Sequence, residues 1–275
     1  MKILDMPCVK GFMQLSQDSV NKGWHEMNGG NLSYRLTEEE AANVKKVQKK
    51  PGKEWYEIYE TVPLLAGEFF IVTRTTGFMR NINRTPENAF GIVEVDSTGT
   101  KYRIWWGLTD SGRPTSEFPS HLKNHEVKKR QNPDNRVIFH AHPVNLIAMT
   151  FVVPLKDKDF TLALWQIMTE CPVIFPKGIG VVPWMVPGKG EIAKATSALM
   201  EKYDIVVWAH HGLFCAGTTF DRAFGLMETV EKSAEIFMRV EATGKKRLST
   251  MTKKDIAKIA KEFGLKDFNK KFISR

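Results

Sequence analysis

Two kinds of hydrophobic pattern alternate along the chain. Short apolar runs bounded by turn residues predict buried strands, and stretches with apolar residues three and four positions apart predict amphipathic helices. The predicted strands cover residues 32–36, 69–73, 90–96, 101–106, 136–142, 173–175, 179–184 and 205–208. The predicted helices cover residues 9–25, 120–131, 144–151, 158–169, 190–203, 221–240 and 252–263, and a short charged helix begins at Thr37.

The order of these elements does not follow a regular strand–helix–strand repeat. Residues 97–100 have the composition of a tight turn and join two alternating runs into an antiparallel hairpin. Residues 45–60 are polar and are expected to form a solvent-facing loop. We therefore expect an α/β protein of the α+β type, with a single domain over residues 1–275. Its central sheet should be mixed but largely antiparallel, with helices covering both faces.

Composition excludes several classes of protein. The chain is 42% hydrophobic and 26% charged, which is ordinary for a globular protein. Its net charge of +9 is concentrated in residues 245–275, which hold eleven Lys/Arg against three Asp/Glu. This segment predicts a solvated helix face without aromatic interleaving, so we expect no nucleic-acid partner. No apolar stretch suits a signal peptide or a membrane span, and three cysteines without C-x-x-C spacing indicate a cytoplasmic protein with reduced thiols.

The strand at 136–142 carries the first candidate for chemistry. Side chains on a strand alternate between its faces, so His140 and His142 point the same way, about 6–7 Å apart. Pro143 ends the strand, which places both imidazoles at a strand end, where α/β sheets commonly bind ligands. Two histidines on a strand can share a metal ion, and they can equally be hydrogen-bonded core or surface residues.

A third imidazole lies at the end of the strand 205–208. The chain continues there with His210, His211 and Gly212, and the glycine permits a close approach of the backbone. Three neutral histidines with an open fourth position are typical of a catalytic zinc site rather than of a structural one. The two strand ends together therefore predict a metal centre.

Three further segments have the composition of an anion site. Asn28 to Asn31 form an Asn-Gly-Gly-Asn turn, Arg74-Thr75-Thr76 follows a strand, and Thr115-Ser116-Glu117 opens a helix. Hydroxyls, amides and free backbone N–H groups at such positions favour a phosphate. A plain turn has the same composition. Glu117 could serve a metal or act as a base, and it could equally compensate the helix dipole.

Four motifs in this order resemble the class II aldolase and adducin family: Asn28-Gly-Gly-Asn31, Thr115-Ser116-Glu117, His140-Ala-His142 and His211-Gly212. The likeness runs nearly end to end. The chain also resembles, in particular, the branch of that family that acts on rhamnulose 1-phosphate. This further resemblance lies in residues 23–24, 106–109, 169–171, 182–188, 224–226 and 261–265.

The resemblance implies the following roles. His140, His142 and His211 would hold one Zn²⁺ per subunit, with His211 preferred over His210 because the family's ligand directly precedes the glycine. Glu117 would manage the C3 proton, and Glu170 would act on the aldehyde end, unless it is a helix-end surface carboxylate. The phosphate-binding set would be Asn28, Gly30, Asn31, Thr75, Thr115 and Ser116. Relatives usually have glycine on both sides of the hydroxyl residue at position 75, and this chain has Arg74 and Thr76.

The implied reaction is the cleavage of L-rhamnulose 1-phosphate to dihydroxyacetone phosphate and L-lactaldehyde through a metal-stabilised enediolate. The implied assembly is a homotetramer with sites at subunit contacts. Two alternatives belong to the same family: an aldolase for fuculose 1-phosphate and a 4-epimerase for pentulose 5-phosphates. Those relatives are shorter and lack the segment around residues 38–62. A third alternative is a non-catalytic, adducin-like scaffold, against which the retained histidines argue.

Overall fold

The computed structural model describes residues 2–188 and 190–274. Over these residues, nine strands form one sheet in the order β2-β5-β4-β3-β1-β6-β9-β8-β7, and only the β7–β8 pair is parallel. The strands are β1 (Asn31–Arg35), β2 (Tyr56–Glu57), β3 (Phe69–Thr73), β4 (Phe90–Val95), β5 (Lys101–Gly107), β6 (Val137–Ala141), β7 (Gly180–Val182), β8 (Ile205–Trp208) and β9 (Gly212–Gly217). The predicted mixed, largely antiparallel sheet is confirmed.

Ten α-helices surround the sheet in the described part of the chain. They are α1 (Pro7–Asn21), α2 (Glu38–Gln48), α3 (Pro86–Ala89), α4 (Phe118–Gln131), α5 (Val144–Met149), α6 (Asp157–Trp165), α7 (Glu170–Ile174), α8 (Gly190–Met200), α9 (Phe220–Ala242) and α10 (Lys253–Glu262). The hydroxyls of Thr37, Thr219 and Thr252 accept hydrogen bonds from the first turns of α2, α9 and α10, as their sequences predict. Within the described residues, none of these helices combines the length and apolar character that a bilayer crossing requires.

Strand alternation divides the core into two layers. Phe139 of β6 lies in the layer that α1 and α9 complete with Phe12 and Leu226. Its neighbour Ile138 lies in the opposite layer, where α8 contributes Ile192. Each such side chain contributes about 1.5–3 kcal/mol of hydrophobic stabilisation when it is fully buried. Helices therefore cover both faces, and β6 is held between β1 and β9 at the centre of the sheet.

Several local predictions are wrong. In the segment 173–175, predicted as a strand, Val173 and Ile174 form the end of α7 and Phe175 follows it; the buried Cys171 and Pro172 anchor this helix in the core. The predicted loop 45–60 contains the end of α2 and the short strand β2, which pairs with β5. Helix α1 ends at Asn21 rather than 25 because Gly23 takes a φ of +74°. Strand β7 ends before Pro183, which has no N–H for a sheet hydrogen bond.

Candidate metal centre and active site

His140 occupies the most protected position of the site. It lies on β6, where pairing with β1 and β9 fixes the backbone on both sides. Its ring is fully buried and stacks on Phe214, with 4.2 Å between ring centroids and 11° between planes. Nδ1 lies 3.0 Å from the carbonyl oxygen of Leu213, which can only accept. The hydrogen therefore sits on Nδ1, and Nε2 presents a lone pair.

His142 follows the last residue of β6 and is held by the loop before β1. Its backbone N–H donates to the carbonyl of Trp24 at 3.0 Å. Its Nδ1 lies 2.6 Å from Oε1 of Glu26, so this ring also carries its hydrogen on Nδ1. A carboxylate on the far nitrogen orients a metal-binding histidine and increases its basicity. Glu26 was not among the predicted site residues. In the sequence it is only a carboxylate two residues before the Asn-Gly-Gly-Asn turn.

His211 lies in the turn between β8 and β9, next to Gly212. A Cβ atom at Gly212 would overlap the carbonyl oxygen of Ala141 and would lie 2.9 Å from the His142 ring. The glycine therefore permits the close backbone approach that the sequence predicts. His210 takes a φ of +60°, and its Nδ1 lies 3.1 Å from the hydroxyl of Thr150. The turn thus directs His211 into the cluster and His210 away from it.

The three rings form a donor set that fits a cation. One ligand atom from each of His140, His142 and His211 lies within 4.8 Å of the others. The Nε2 atoms of His140 and His142 are 3.3 Å apart. Both rings carry their hydrogen on Nδ1, so two lone pairs face each other, an unfavourable arrangement unless a cation lies between them. Two nitrogens bound tetrahedrally to zinc at about 2.0–2.1 Å are roughly 3.3–3.4 Å apart, which matches this spacing.

Burial keeps the imidazoles of His140 and His211 neutral, the state that metal binding requires. It lowers the pKa of His140 well below its ordinary value, and the neighbouring histidines lower it further. Burial also lowers the pKa of His211 to about 4. A metal ion binds the unprotonated nitrogen, so neither His140 nor His211 has to lose a proton at neutral pH.

Glu117 stands beside the histidines at the start of α4. Its Oε2 lies 3.8 Å from Nε2 of His140 and accepts a hydrogen bond of 2.8 Å from Nδ2 of Asn31. Burial raises the pKa of Glu117 to about 6, and the Asn31 hydrogen bond opposes that rise. A carboxyl group that titrates near neutral pH can both accept and return a proton.

The segments predicted to bind phosphate meet around Glu117. The backbone N–H of Thr115 donates to Thr73 at 2.8 Å, and that of Thr75 donates to Arg113 at 2.9 Å, which joins the loop after β3 to the start of α4. Asn31 is buried, whereas Asn28 and Ser116 are exposed. Gly30 takes a φ of +71°, and a Cβ atom there would overlap Nδ1 of His25.

Arg74 and Glu170 have surroundings unlike those of the residues around Glu117. Nη1 of Arg74 donates to the carbonyl of Thr109 at 3.0 Å, so the guanidinium braces the neighbouring loop. Glu170 is the exposed first residue of α7. Over the described residues, no hydrogen bond or ion pair connects Glu170 with the three histidines. Its role at the aldehyde end stays a prediction.

A cleft of about 510 Å³ opens beside the histidines. Its lining includes Glu26, His142 and His211, together with the apolar side chains of Val144, Ile147 and Trp184. This volume is within the usual range for a small-molecule site. The cleft therefore has room for a sugar phosphate next to the ligand atoms.

Comparison with known proteins agrees with this architecture. The family model described as Class II Aldolase and Adducin N-terminal domain matches residues 10–238. A rhamnulose-1-phosphate aldolase from Listeria welshimeri is 43% identical over 267 residues, which cover 96% of this chain and 94% of that protein. Another, from Mannheimia succiniciproducens, is 43% identical over 259 residues, 94% of each chain.

A solved structure supports the same assignment. The sugar-phosphate aldolase from Thermotoga maritima superposes with a TM-score of 0.71 at 29% identity, over 86% of this chain and 96% of that one. The family match covers most of the chain, and the full-length relatives are well above the identity at which family membership is secure. The resemblance inferred from the four motifs is confirmed, and the chain belongs to the class II aldolase and adducin family.

Proposed function

We propose that this protein is a zinc-dependent aldehyde-lyase that cleaves L-rhamnulose 1-phosphate into dihydroxyacetone phosphate and L-lactaldehyde. The observation that carries the proposal is the convergence of His140, His142 and His211 beside the buried carboxyl group of Glu117. The choice of sugar is supported by relatives named rhamnulose-1-phosphate aldolase, which match nearly the whole chain.

The residues divide the chemistry among themselves. When bound by the three histidines, zinc supplies a Lewis acid that stabilises negative charge on the substrate oxygens. Breaking the C3–C4 bond leaves a carbanion equivalent at C3, and Glu117 in its protonated form donates its proton to that carbon. Glu170 takes the proton from the C4 hydroxyl, whose oxygen becomes the aldehyde carbonyl.

The phosphate group provides orientation far from the bond that breaks. Asn28, Ser116 and Thr75 supply amide and hydroxyl donors around the start of α4, where free backbone N–H groups favour an anion. Fixing the phosphate places C3 next to Glu117, so that the reacting carbon and the carboxyl group are already oriented when the bond breaks. This arrangement requires no lysine that forms a Schiff base.

Substrate preference is the first property to test. The protein loaded with Zn²⁺ would be assayed with rhamnulose 1-phosphate and fuculose 1-phosphate by coupling dihydroxyacetone phosphate to a reductase. Ribulose 5-phosphate would be tested separately by detecting xylulose 5-phosphate. We expect the highest kcat/KM for rhamnulose 1-phosphate. Faster cleavage of fuculose 1-phosphate, or epimerisation of ribulose 5-phosphate, would contradict the proposed substrate. Inactivity with all three sugars would favour the scaffold alternative.

We further propose that four copies assemble with contacts beside the metal centre. Val144 and Trp184, which line the cleft, are 65% and 62% exposed, and nearby Phe151 is 71% exposed. Large apolar side chains exposed together are typical of an interface between subunits. Light scattering at micromolar concentration should give four times the chain mass, and a stable monomer would contradict the proposal.

We also propose that the protein works in the cytoplasm. Cys8, Cys171 and Cys215 are free and buried, in keeping with a compartment that maintains reduced thiols. Fractionation of the source cells should recover the protein with cytoplasmic markers, whereas recovery with secreted proteins would contradict this location.

A further inference from the structure

A row of buried polar side chains continues from Glu117 into the interior, between β1 and α4. Asn31 donates to Glu117, and its Oδ1 contacts Nε2 of His121. Nδ1 of His121 lies 2.7 Å from the hydroxyl of Ser33, and that hydroxyl lies 2.8 Å from Nε2 of His125. His121, Ser33 and His125 are completely buried, so the inner part of this row has no contact with solvent.

The chemistry of each partner fixes where the hydrogens are. The carboxylate of Glu117 can only accept, so the NH₂ group of Asn31 faces it and Oδ1 faces His121. His121 must then carry its hydrogen on Nε2, which leaves Nδ1 as an acceptor for the Ser33 hydroxyl. Because that hydroxyl has one hydrogen, Nε2 of His125 must donate to it. Every hydrogen in the row therefore points toward Glu117.

Two observations support this assignment. Burial lowers the pKa of His121 to about 3 and that of His125 well below its ordinary value, so both rings are neutral. In the assigned tautomer Nδ1 of His125 is a bare acceptor, and this atom has no hydrogen-bond partner over the described residues. A buried acceptor without a partner is better tolerated than a buried N–H without one.

Secondary structure explains how the row is built. Asn31 and Ser33 are two positions apart on β1 and share one face of the sheet. His121 and His125 are one helical turn apart on α4 and share one face of the helix. Phe214 packs against His121 and Phe70 against His125, which prevents the rings from turning. The two pairs interleave where strand and helix face each other.

We propose that His121, Ser33 and His125 are positioning residues that hold the Asn31 carboxamide with its NH₂ group toward Glu117. An amide has two orientations of nearly identical shape, and the other one would place its oxygen against the carboxylate. The row selects the first orientation and thereby fixes the carboxylate next to the histidine cluster. This inference rests on the proposed function, because Glu117 acts there as the C3 base.

The kinetic test compares two losses of a buried hydroxyl. Ser33→Ala removes the donor to His121 and frees that ring to change tautomer. Ser233→Ala removes an equally buried hydroxyl from α9, remote from the row. We expect Ser33→Ala to lower kcat for C3–hydrogen exchange of dihydroxyacetone phosphate by about 10-fold, the effect of one hydrogen bond. Zinc content should stay at the parental value, and Ser233→Ala should retain the parental rate.

A second pair of variants guards against a folding defect. His125→Gln keeps an N–H donor near the position of Nε2, whereas His125→Leu has none. We expect the glutamine variant to exchange at close to the parental rate and the leucine variant to match Ser33→Ala. Equal rates for both His125 variants, or a parental rate for Ser33→Ala, would overturn the positioning role.

A readout that needs no activity separates this inference from the proposed function. Nitrogen-15 NMR of histidine-labelled, zinc-loaded protein reports which ring nitrogen carries the hydrogen. His121 should show a hydrogen on Nε2 alone in the parent, and Ser33→Ala should show a mixture of tautomers. If the parent protein carries the His121 hydrogen on Nδ1, the proposed direction of the hydrogen bonds is wrong, even when the enzyme is active. If no sugar phosphate is cleaved but the expected tautomers are seen, only the proposed function fails.

Discussion

Asn31 and Glu117 are separated by 86 residues in sequence and joined by a hydrogen bond of 2.8 Å between Nδ2 and Oε2. The bond connects the first residue of β1 with the residue that precedes α4. One amide hydrogen of Asn31 is thereby committed to the carboxylate, and the second is available to a substrate. Asn31 can thus serve the proposed phosphate site and the proposed catalytic carboxylate together, so we predict that its replacement affects both KM and kcat.

The metal ligands give the first prediction. His140→Ala, His142→Ala and His211→Ala should each lower the zinc content and abolish cleavage, because these three imidazoles form the donor set. His210→Ala is the matched control, since its ring contacts Thr150 instead, and it should retain most zinc and activity. Elemental analysis that finds stoichiometric zinc in the triple variant would contradict the assignment.

Phosphate binding gives the second prediction. Ser116→Ala should weaken the use of the phosphorylated ketose by about 1–3 kcal/mol in kcat/KM, the contribution of one charge-assisted hydrogen bond. Ser111→Ala, also exposed and five residues earlier, serves as the control and should leave kcat/KM unchanged. Equal cleavage of rhamnulose and rhamnulose 1-phosphate by the parent would show that no phosphate site operates.

The two carboxylates can be separated by following two steps. Exchange of the C3 hydrogen of dihydroxyacetone phosphate with solvent needs no aldehyde. Glu117→Ala should impair exchange and cleavage alike, because the same carboxylate moves the C3 proton in both. Glu170→Gln should lower cleavage by ~10²-fold while exchange survives, as expected for the loss of a general acid or base. If Glu170→Gln cleaves rhamnulose 1-phosphate at the parental rate, Glu170 has no role at the aldehyde end.

The glycine next to His211 provides a prediction about backbone approach. A Cβ atom at Gly212 overlaps the Ala141 carbonyl, so Gly212→Ala should push the β8–β9 turn away from β6 and weaken zinc binding. Gly225→Ala is the control, because nothing lies within 4 Å of a Cβ atom there. In helix α9 it should raise the free energy of unfolding by about 0.5–1 kcal/mol. Competition with a chelator measures zinc affinity, and parental affinity in Gly212→Ala would refute the prediction.

Acid sensitivity follows from the buried histidines. Burial lowers the pKa of His121 from 6.5 to about 3. Below pH 6.5 the His121 ring binds a proton in the unfolded chain but not in the folded state. The free energy of unfolding is therefore not reduced by this residue above pH 6.5, and it decreases as the pH falls from 6.5 toward 3. Metal-free protein should lose about 1.4 kcal/mol per pH unit from this residue in that window. Urea unfolding at about pH 7 and about pH 5 should show a shallower loss for His121→Gln, and an identical loss would contradict the assignment.

Much of the metal centre could be predicted from sequence because its elements have local signals. His140 and His142 follow strand alternation, and Gly212 identifies the close approach beside His211. Glu26 had no such signal, because its role depends on a loop that reaches His142 across 116 residues. His121 and His125 were not predicted as site residues, although their spacing of four residues places them on one helix face. Their partner Ser33 becomes apparent only in the structure, where β1 and α4 lie together.

The predicted strand at 173–175 shows the converse limit. Its Val-Ile-Phe composition favours a strand locally, and burial of Cys171 and Pro172 stabilised a helix there instead. Strand β9 was missed because Gly212 was interpreted only as a residue that permits a close backbone approach. It is the first residue of a strand that pairs with β6 from Ala141 to Val137.

The order of the ligands along the chain has a consequence for biosynthesis. His140 and His142 are made near the middle of the chain, and His211 only after β8. Strand β1 pairs with β6, and β6 pairs with β9, so a nascent chain on the ribosome cannot close this part of the sheet until residue 217 has emerged. Capture of the proposed metal is therefore a late event of synthesis, and chains truncated before residue 211 lack one of the three histidines.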